Sequence, residues 1–261
     1  MESDEKVIRT LVSQLEGPEP HARNQALAEL IRFGHRAVPV LREKIFDKWG
    51  AVTEPIIKMG YPENRDAIPD LVKCLMYAGD NPHIDGIILR SLRALGHPVI
   101  EPIRKVLAEH PDDDWWVFHA ARVLLGLELS LIEPISNDLI HALEVGLNHD
   151  HSSYCDVIEL LGRIASPKAD RAIPTIAQYY VRNQEGSLAP AEIVSNPATI
   201  EVRREIRRAA IKALMRFDSG AIERVYSVLM TAENDPDQAV RAAAGKTSGD
   251  GTSGGQEGGQ E

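Results

Sequence analysis

Six segments of the chain repeat one apolar pattern, and this periodicity limits the possible folds more than any other feature. The segments open near Ala37-Val-Pro, Ala67-Ile-Pro, Val99-Ile-Glu-Pro, Leu131-Ile-Glu-Pro, Ala172-Ile-Pro and Ala221-Ile-Glu. Aligned on the second residue, the anchor column reads Val38, Ile68, Ile100, Ile132, Ile173 and Ile222. Three residues on it reads Leu41, Leu71, Ile103, Ile135, Ile176 and Val225. Seven on it reads Ile45, Leu75, Leu107, Leu139, Tyr180 and Leu229. Residues at i, i+3 and i+7 share one face of an α-helix. The column five residues on is polar throughout: Glu43, Lys73, Lys105, Asn137, Gln178 and Ser227. A dry stripe and a wet stripe recurring in register predict one amphipathic helix per segment. Pro39, Pro69, Pro102, Pro134 and Pro174 fall near the helix start, where the amide hydrogen that proline lacks has no intrahelical partner.

Each of these helices follows another. The earlier helices are expected to stop at Gly34, Gly60, Gly96, Gly126 and Gly162, with Asp218 in the sixth slot. Glycine just past a helix takes the left-handed conformation that lets the last carbonyls be capped. Phe33, Met59, Leu95, Leu125, Leu161 and Phe217 precede that slot. The unit is helix, turn, helix, and its spacing opens from 30 residues between the first two anchors to 49 between the last two. The second unit has the poorest first helix, around Trp49 to Met59, with Pro55 inside it.

The helix pair, the turn of the type x-Leu-Gly and the Ala-Ile-Pro or Ile-Glu-Pro opening resemble HEAT repeats. More narrowly, they resemble the short HEAT-like repeats of the bilin (phycobilisome) lyase type. The resemblance spans about residues 19 to 245 and implies an all-α fold: a right-handed α-solenoid of about six HEAT-like helix pairs. Residues 1–18 are expected to form a capping helix, with Val7, Ile8, Leu11, Val12 and Leu15 on its apolar side. Residues 183–200 are an insertion carrying Gly186, Pro190 and Pro197. Residues 246–261 contain only Lys, Thr, Ser, Gly, Asp, Gln and Glu, with no apolar side chain to offset ordering entropy, so a disordered tail is expected.

Composition narrows function by exclusion. With 29 Lys and Arg against 39 Asp and Glu, the net charge is −10. That balance argues against general nucleic-acid binding, which needs cations to replace phosphate counterions. No apolar run reaches membrane-spanning length, and the acidic opening Met1-Glu-Ser-Asp-Glu-Lys lacks the order of a signal peptide, so no membrane insertion and a cytoplasmic location are expected. Two cysteines, Cys74 and Cys155, cannot build a disulfide framework. There is no GxxxxGK[ST] or HExxH motif. Another HEAT-like class, the deoxyhypusine hydroxylases, binds iron through His-Glu dipeptides; none of the nine histidines here is followed by Glu. We therefore expect no cofactor and no catalytic residue.

Three clusters remain. His149-Asp150-His151, with Cys155, His141 and His119 as possible neighbours, has metal-ligand chemistry, but Asp150 or Ser152 serves equally as a helix cap. Asp112-Asp113-Asp114-Trp115-Trp116 places carboxylates beside aromatics, as in helical DNA-repair glycosylases of similar build. Acidic residues at a helix start and tryptophans packed between repeats account for it as well. The segment Glu201 to Arg216 carries Arg203, Arg204, Arg207, Arg208, Lys212 and Arg216 against two glutamates, a basic patch able to receive an acidic segment or phosphate, or a solvated face.

In HEAT-like proteins the second helix of each pair lines the concave side, so the resemblance directs attention to its wet stripe. The column nine after the anchor reads Asp47, Tyr77, Glu109, His141, Arg182 and Thr231. From the middle repeats, Lys73, Tyr77, Lys105, His141, Gln178 and Arg182 are expected to contact a protein or peptide partner. Arg203, Arg204, Arg207 and Arg208 form the secondary candidate. The reading is a non-catalytic scaffold. The alternative is an accessory factor resembling bilin lyases, which holds a pigment and an acceptor protein.

Overall fold

Each apolar column needs a neighbour to cover it, and stacked helix pairs supply one. The computed structural model describes residues 2–47, 49–77, 82–148, 153–184, 197–218, 220 and 223–245. All regular structure in them is helical: α1 (Glu2–Gln14), α2 (Pro20–Phe33), α3 (Val38–Lys44), α4 (Trp49–Met59), α5 (Ile68–Tyr77), α6 (Pro82–Leu95), α7 (Ile100–Glu109), α8 (Asp114–Leu124), α9 (Leu129–Ile132), α10 (Ser136–Val145), α11 (Ser153–Ile164), α12 (Ile173–Arg182), α13 (Pro197–Leu214), α14 (Tyr226–Ala232) and α15 (Gln238–Ala244). A short 3-10 turn precedes or opens the second helix of every repeat, at Gly34–Arg36, Arg65–Ala67, His97–Val99, Glu133–Ile135, Asp170–Ala172 and Glu223–Val225.

The chain divides into two compact units, Met1–Pro134 and Ile135–Glu261. In the first, the first helices of successive repeats pack in order, α2 on α4, α4 on α6 and α6 on α8. The second helices lie alongside, with α3 on α4, α5 on α6 and on α7, and α7 on α8. In the second, α11, α13 and α15 make the first-helix row, and α12 packs on α13 and on α14. Each unit is thus an α-solenoid stack in which a repeat touches chiefly its sequence neighbours.

The three apolar columns form the core. Every described member is buried except Ile100, which is partly exposed; Ile222 lies outside the described residues. A fully buried aliphatic side chain of this kind stabilises by about 1.5–3 kcal/mol. The fifth column is exposed at all six positions. The N-terminal helix is tied to the first repeat through Ile8, 2% exposed, and through ion pairs Arg9–Glu43 and Arg36–Asp4 at 2.8 and 3.0 Å.

Helix ends follow the glycine slots in part. α2, α4 and α6 stop one residue before Gly34, Gly60 and Gly96, whose φ angles of 55°, 72° and 65° suit glycine. α4 runs through Pro55 without interruption. At the remaining three slots the left-handed cap is not at the expected residue, although α8 does stop just before Gly126. Gly126 has no positive φ and lies against the side chain of Arg93, which donates from Nε to the Arg122 carbonyl at the end of α8, 3.2 Å away. Gly162 lies inside α11, where a Cβ would come within 2.6 Å of the Ala213 backbone. Its role is close approach of α11 to α13, and the positive φ passes to Ala165, at 33°. α13 ends at Leu214, four residues before Asp218.

Candidate partner-binding surface

Helical pitch sets what the second helices present. At about 100° per residue, positions five and nine after the anchor point roughly opposite the buried columns, and position eight lies on the flank between them. In the first unit, Lys73 on α5 and Lys105 on α7 are exposed, and α5 packs on α7. Lys105 Nζ lies 3.7 Å from the Glu109 carboxylate one turn on. Glu43 is committed elsewhere: the Arg9 guanidinium donates to it and holds its carboxyl below the usual range. The side chain of Tyr77 lies outside the described residues. In the second unit, His141 on α10 and Gln178 on α12 are exposed, and Arg182, one turn beyond Gln178, is partly exposed and already engaged in a contact. Lys73 and Lys105 therefore belong to one unit, and His141, Gln178 and Arg182 to the other.

Apolar anchors absent from the sequence expectation accompany the second set. Val181 on α12 is 47% exposed, and Tyr226 and Met230 on α14 are 60% and 44% exposed. Val181 and Met230 occupy position eight after the anchor, as does Phe46, 49% exposed, in the first unit. The signal was an apolar residue on the flank of a wet stripe. Tyr226 occupies position four, where Ala177 and Ser136 of preceding second helices are buried. The position is open in other repeats too, at Arg42 and Arg104, but there it carries a charged side chain and not a large aromatic one.

The basic helix does not present one basic face. Arg203 and Arg207 are 6% and 3% exposed, so neither stands on the surface as expected of the secondary candidate. The physical reason is the pitch, which turns both inward with Ile206, Ala210 and Leu214. Arg207 forks onto Asp235, with Nε 3.0 Å from Oδ2 and Nη2 3.2 Å from Oδ1, and also donates to the Asn183 carbonyl at 2.8 Å. The Tyr180 hydroxyl donates to Asp235 Oδ2 at 3.1 Å, and the Asp237 amide donates to Oδ1 at 2.9 Å. A buried charge with so many partners joins α12, α13 and the turn before α15. Burial above all pushes the Tyr180 hydroxyl up to about 12. At the rim, Arg204 pairs with Glu201 and Asp237 at 2.8 and 2.7 Å. Arg208, Lys212 and Arg216 are exposed.

The other clusters resolve into packing and capping where they are described. Asp113 caps α8, accepting from the amides of Trp115 and Trp116 at 3.0 and 3.3 Å. Trp116 stacks on His110 at 4.2 Å, and Trp115 meets the buried His119 edge-on at 4.5 Å. His149, Asp150, His151 and Ser152 lie outside the described residues. Cys155 lines a cleft of about 310 Å³ between α11 and α13, and burial, then Glu205 and Asp156, push its thiol up to about 12. Among the described residues, no helix is long and apolar enough to cross a membrane.

No family model matches the chain, and no curated protein matches it in sequence. Among solved structures it is similar to a designed armadillo repeat protein, at 14% identity and TM-score 0.43 over 91% of this chain and 96% of that one. It is also similar to an engineered protein, at 16% identity and TM-score 0.41 over 91% and 95%. The assignment as a helical repeat protein rests on the helix pairs themselves.

Proposed function

We propose that this chain is a non-catalytic scaffold that binds a protein or peptide along the exposed face of its second helices. One observation carries the reading: Val181, Tyr226 and Met230 stand exposed on the neighbouring helices α12 and α14, among Gln178, Arg182, Ser227 and Thr231. Large apolar side chains set in a polar surround are the usual make-up of an interface core and rim. Lys73, Lys105 and His141 extend the same type of face. The partner has a polar, mixed-charge surface with apolar side chains to bury against Tyr226 and Met230.

The experiment is a quantitative pull-down from the native host with wild type and a Tyr226→Ala, Met230→Ser, Arg182→Ala triple variant. A specific protein captured by wild type should lose about tenfold or more in affinity for the variant, as for interface hot spots. Unchanged helical circular dichroism is the folding control. Equal capture by both would move the site off α12 and α14. A pigment-holding accessory role, which the bilin-lyase resemblance implies, would instead leave visible absorption in protein purified from that host. On our reading the preparation is colourless.

A further inference from the structure

Six cations lie on and just beyond α13, and three of them form no ion pair among the described residues. Arg203 and Arg207 are buried, and Arg204 is held by Glu201 and Asp237. Arg208, Lys212 and Arg216 are exposed, and among the described residues no carboxylate stands within ion-pair distance of any of them. On a chain with 39 acidic against 29 basic residues, a row of cations outside every described ion pair is conspicuous. Arg208 and Lys212 stand one turn apart on α13, about 6 Å along its axis, and Arg216 follows two residues past its end; all three line one groove and make a ridge beside it.

The two sides of the ridge differ. Toward α11 the cleft wall carries Asp156, Glu159 and Glu205. Toward α15 a groove of about 780 Å³ has a floor of Met215, Ala239, Ala242 and Ala243 and no acidic residue. A ligand drawn to the cations is therefore repelled on the α11 side and admitted on the α15 side. That groove runs between two helices of the first-helix row and takes a third helix lying along it, the helix-in-groove mode of recognition.

We propose that the ridge Arg208–Lys212–Arg216 and the α13–α15 groove beside it form a second docking surface, for an acidic amphipathic helix of a partner protein. Carboxylates at i and i+4 of that helix match the rise from Arg208 to Lys212, and a third at i+8 is directed toward Arg216 just past the end of α13. An adjoining apolar stripe covers the alanine floor. Nucleic acid fits less well, because a phosphate backbone offers nothing to Met215 and the alanines, and Glu205 and Glu159 oppose it on the other side. The chain's own residues 246–261 hold Asp250, Glu257 and Glu261 but no apolar side chain, so they satisfy the ridge and not the groove. This surface lies on the first-helix row, apart from the second-helix face proposed above.

The probe is a fluorescein-labelled synthetic helix of about 18 residues, with glutamates at i, i+4 and i+8 and leucines on the adjoining stripe. A version with lysine for glutamate is the control. Fluorescence anisotropy with the full chain should show binding of the glutamate peptide at low salt, weakening as salt rises, and none of the lysine peptide. An Arg208→Glu, Lys212→Glu, Arg216→Glu variant should bind about tenfold or more weakly, as expected for lost charge-assisted contacts. Ala242→Glu, on the exposed groove floor, should weaken binding with the ridge intact. Tyr226→Ala, Met230→Ser should bind the peptide as wild type does, which separates this surface from the other. Equal affinity of wild type and the charge-reversed variant, or no binding at low salt, would overturn the proposal. So would binding that appears only after deletion of residues 246–261, which would place the chain's own tail on the ridge. Displacement of the peptide by an RNA oligonucleotide would reassign the ridge to nucleic acid.

Discussion

The two sides of α13 set the same residue type to opposite tasks. Arg207 and Arg208 are adjacent in sequence. One is 3% exposed and bound to Asp235 and Asn183, while the other is exposed with no carboxylate within ion-pair distance among the described residues. Between them in character stands Arg204, half out of water and paired across to Asp237. A stretch that reads as one basic patch is therefore a structural clamp, a rim contact and a free ridge. Charge says little about role until the pitch of the helix and the neighbours on each side are known.

Removing the clamp should have the largest effect. Arg207→Ala leaves the Asp235 carboxylate, itself 4% exposed, without its counter-charge, and such a loss costs about 3–5 kcal/mol. Urea or thermal denaturation should show the loss. Arg207→Lys should recover only part of it, because an ammonium cannot fork onto both oxygens and still reach the Asn183 carbonyl. A loss under about 1 kcal/mol in Arg207→Ala would place the buried pair on a level with surface pairs and erase the contrast.

The rim should give an intermediate effect. Asp237 caps α15, accepting from the amides of Ala239 and Val240 at 2.7 and 3.1 Å, so Asp237→Ala should cost about 1 kcal/mol. Its ionisation adds a pH dependence. Burial works to raise its carboxyl, but the amides of Val240 and Ala239 and the charges of Arg204 and Arg207 outweigh that and lower it below the usual range. A lowered folded value stabilises above the ordinary aspartate range, about pH 4, and the contribution disappears as pH falls through the folded value. Between about pH 5 and 2, wild type should thus lose stability faster than Asp237→Asn, as followed by thermal melts.

Much of this architecture is legible in the sequence. The three apolar columns depend only on helical pitch and on each repeat having neighbours, so their burial followed from spacing alone. What the spacing did not carry was which neighbour lies on which side. Gly162 reads as a helix stop and is instead the point where α11 meets Ala213 of α13. Arg203 and Arg207 read as surface because arginine is seldom buried, and only the position of Asp235, 28 residues after Arg207, shows what holds that residue inside. Tyr226 sits at a position that is buried at Val72, Ser136 and Ala177 and open at Arg42 and Arg104, so the spacing does not fix its exposure. Of the expected contact residues, Lys73, Lys105, His141 and Gln178 are exposed as the wet stripe requires, and Arg182 is partly exposed.

The ridge should give the smallest effect on stability, and the comparison is sharpest there. Arg208→Gln, Lys212→Gln, Arg216→Gln replaces three exposed cations that form no ion pair among the described residues, so each change should stay within about 0.5 kcal/mol of wild type. A silent melt could mean only that nothing local changed, so a second reading is needed beside it. Cys155 supplies one. Its thiol stands at about 12, raised by burial, Glu205 and Asp156, and Arg208 is the side chain whose charge pulls it down. Removing Arg208 should push the thiol further up, lowering the thiolate fraction at any given pH and slowing alkylation by iodoacetamide in the native protein, because only the thiolate reacts. The variant should therefore melt as wild type does while its Cys155 alkylates more slowly across about pH 8–10. Faster alkylation would mean that the α11–α13 cleft had opened and that the ridge helps hold those helices together, which would merge the two faces of α13 into one structural role.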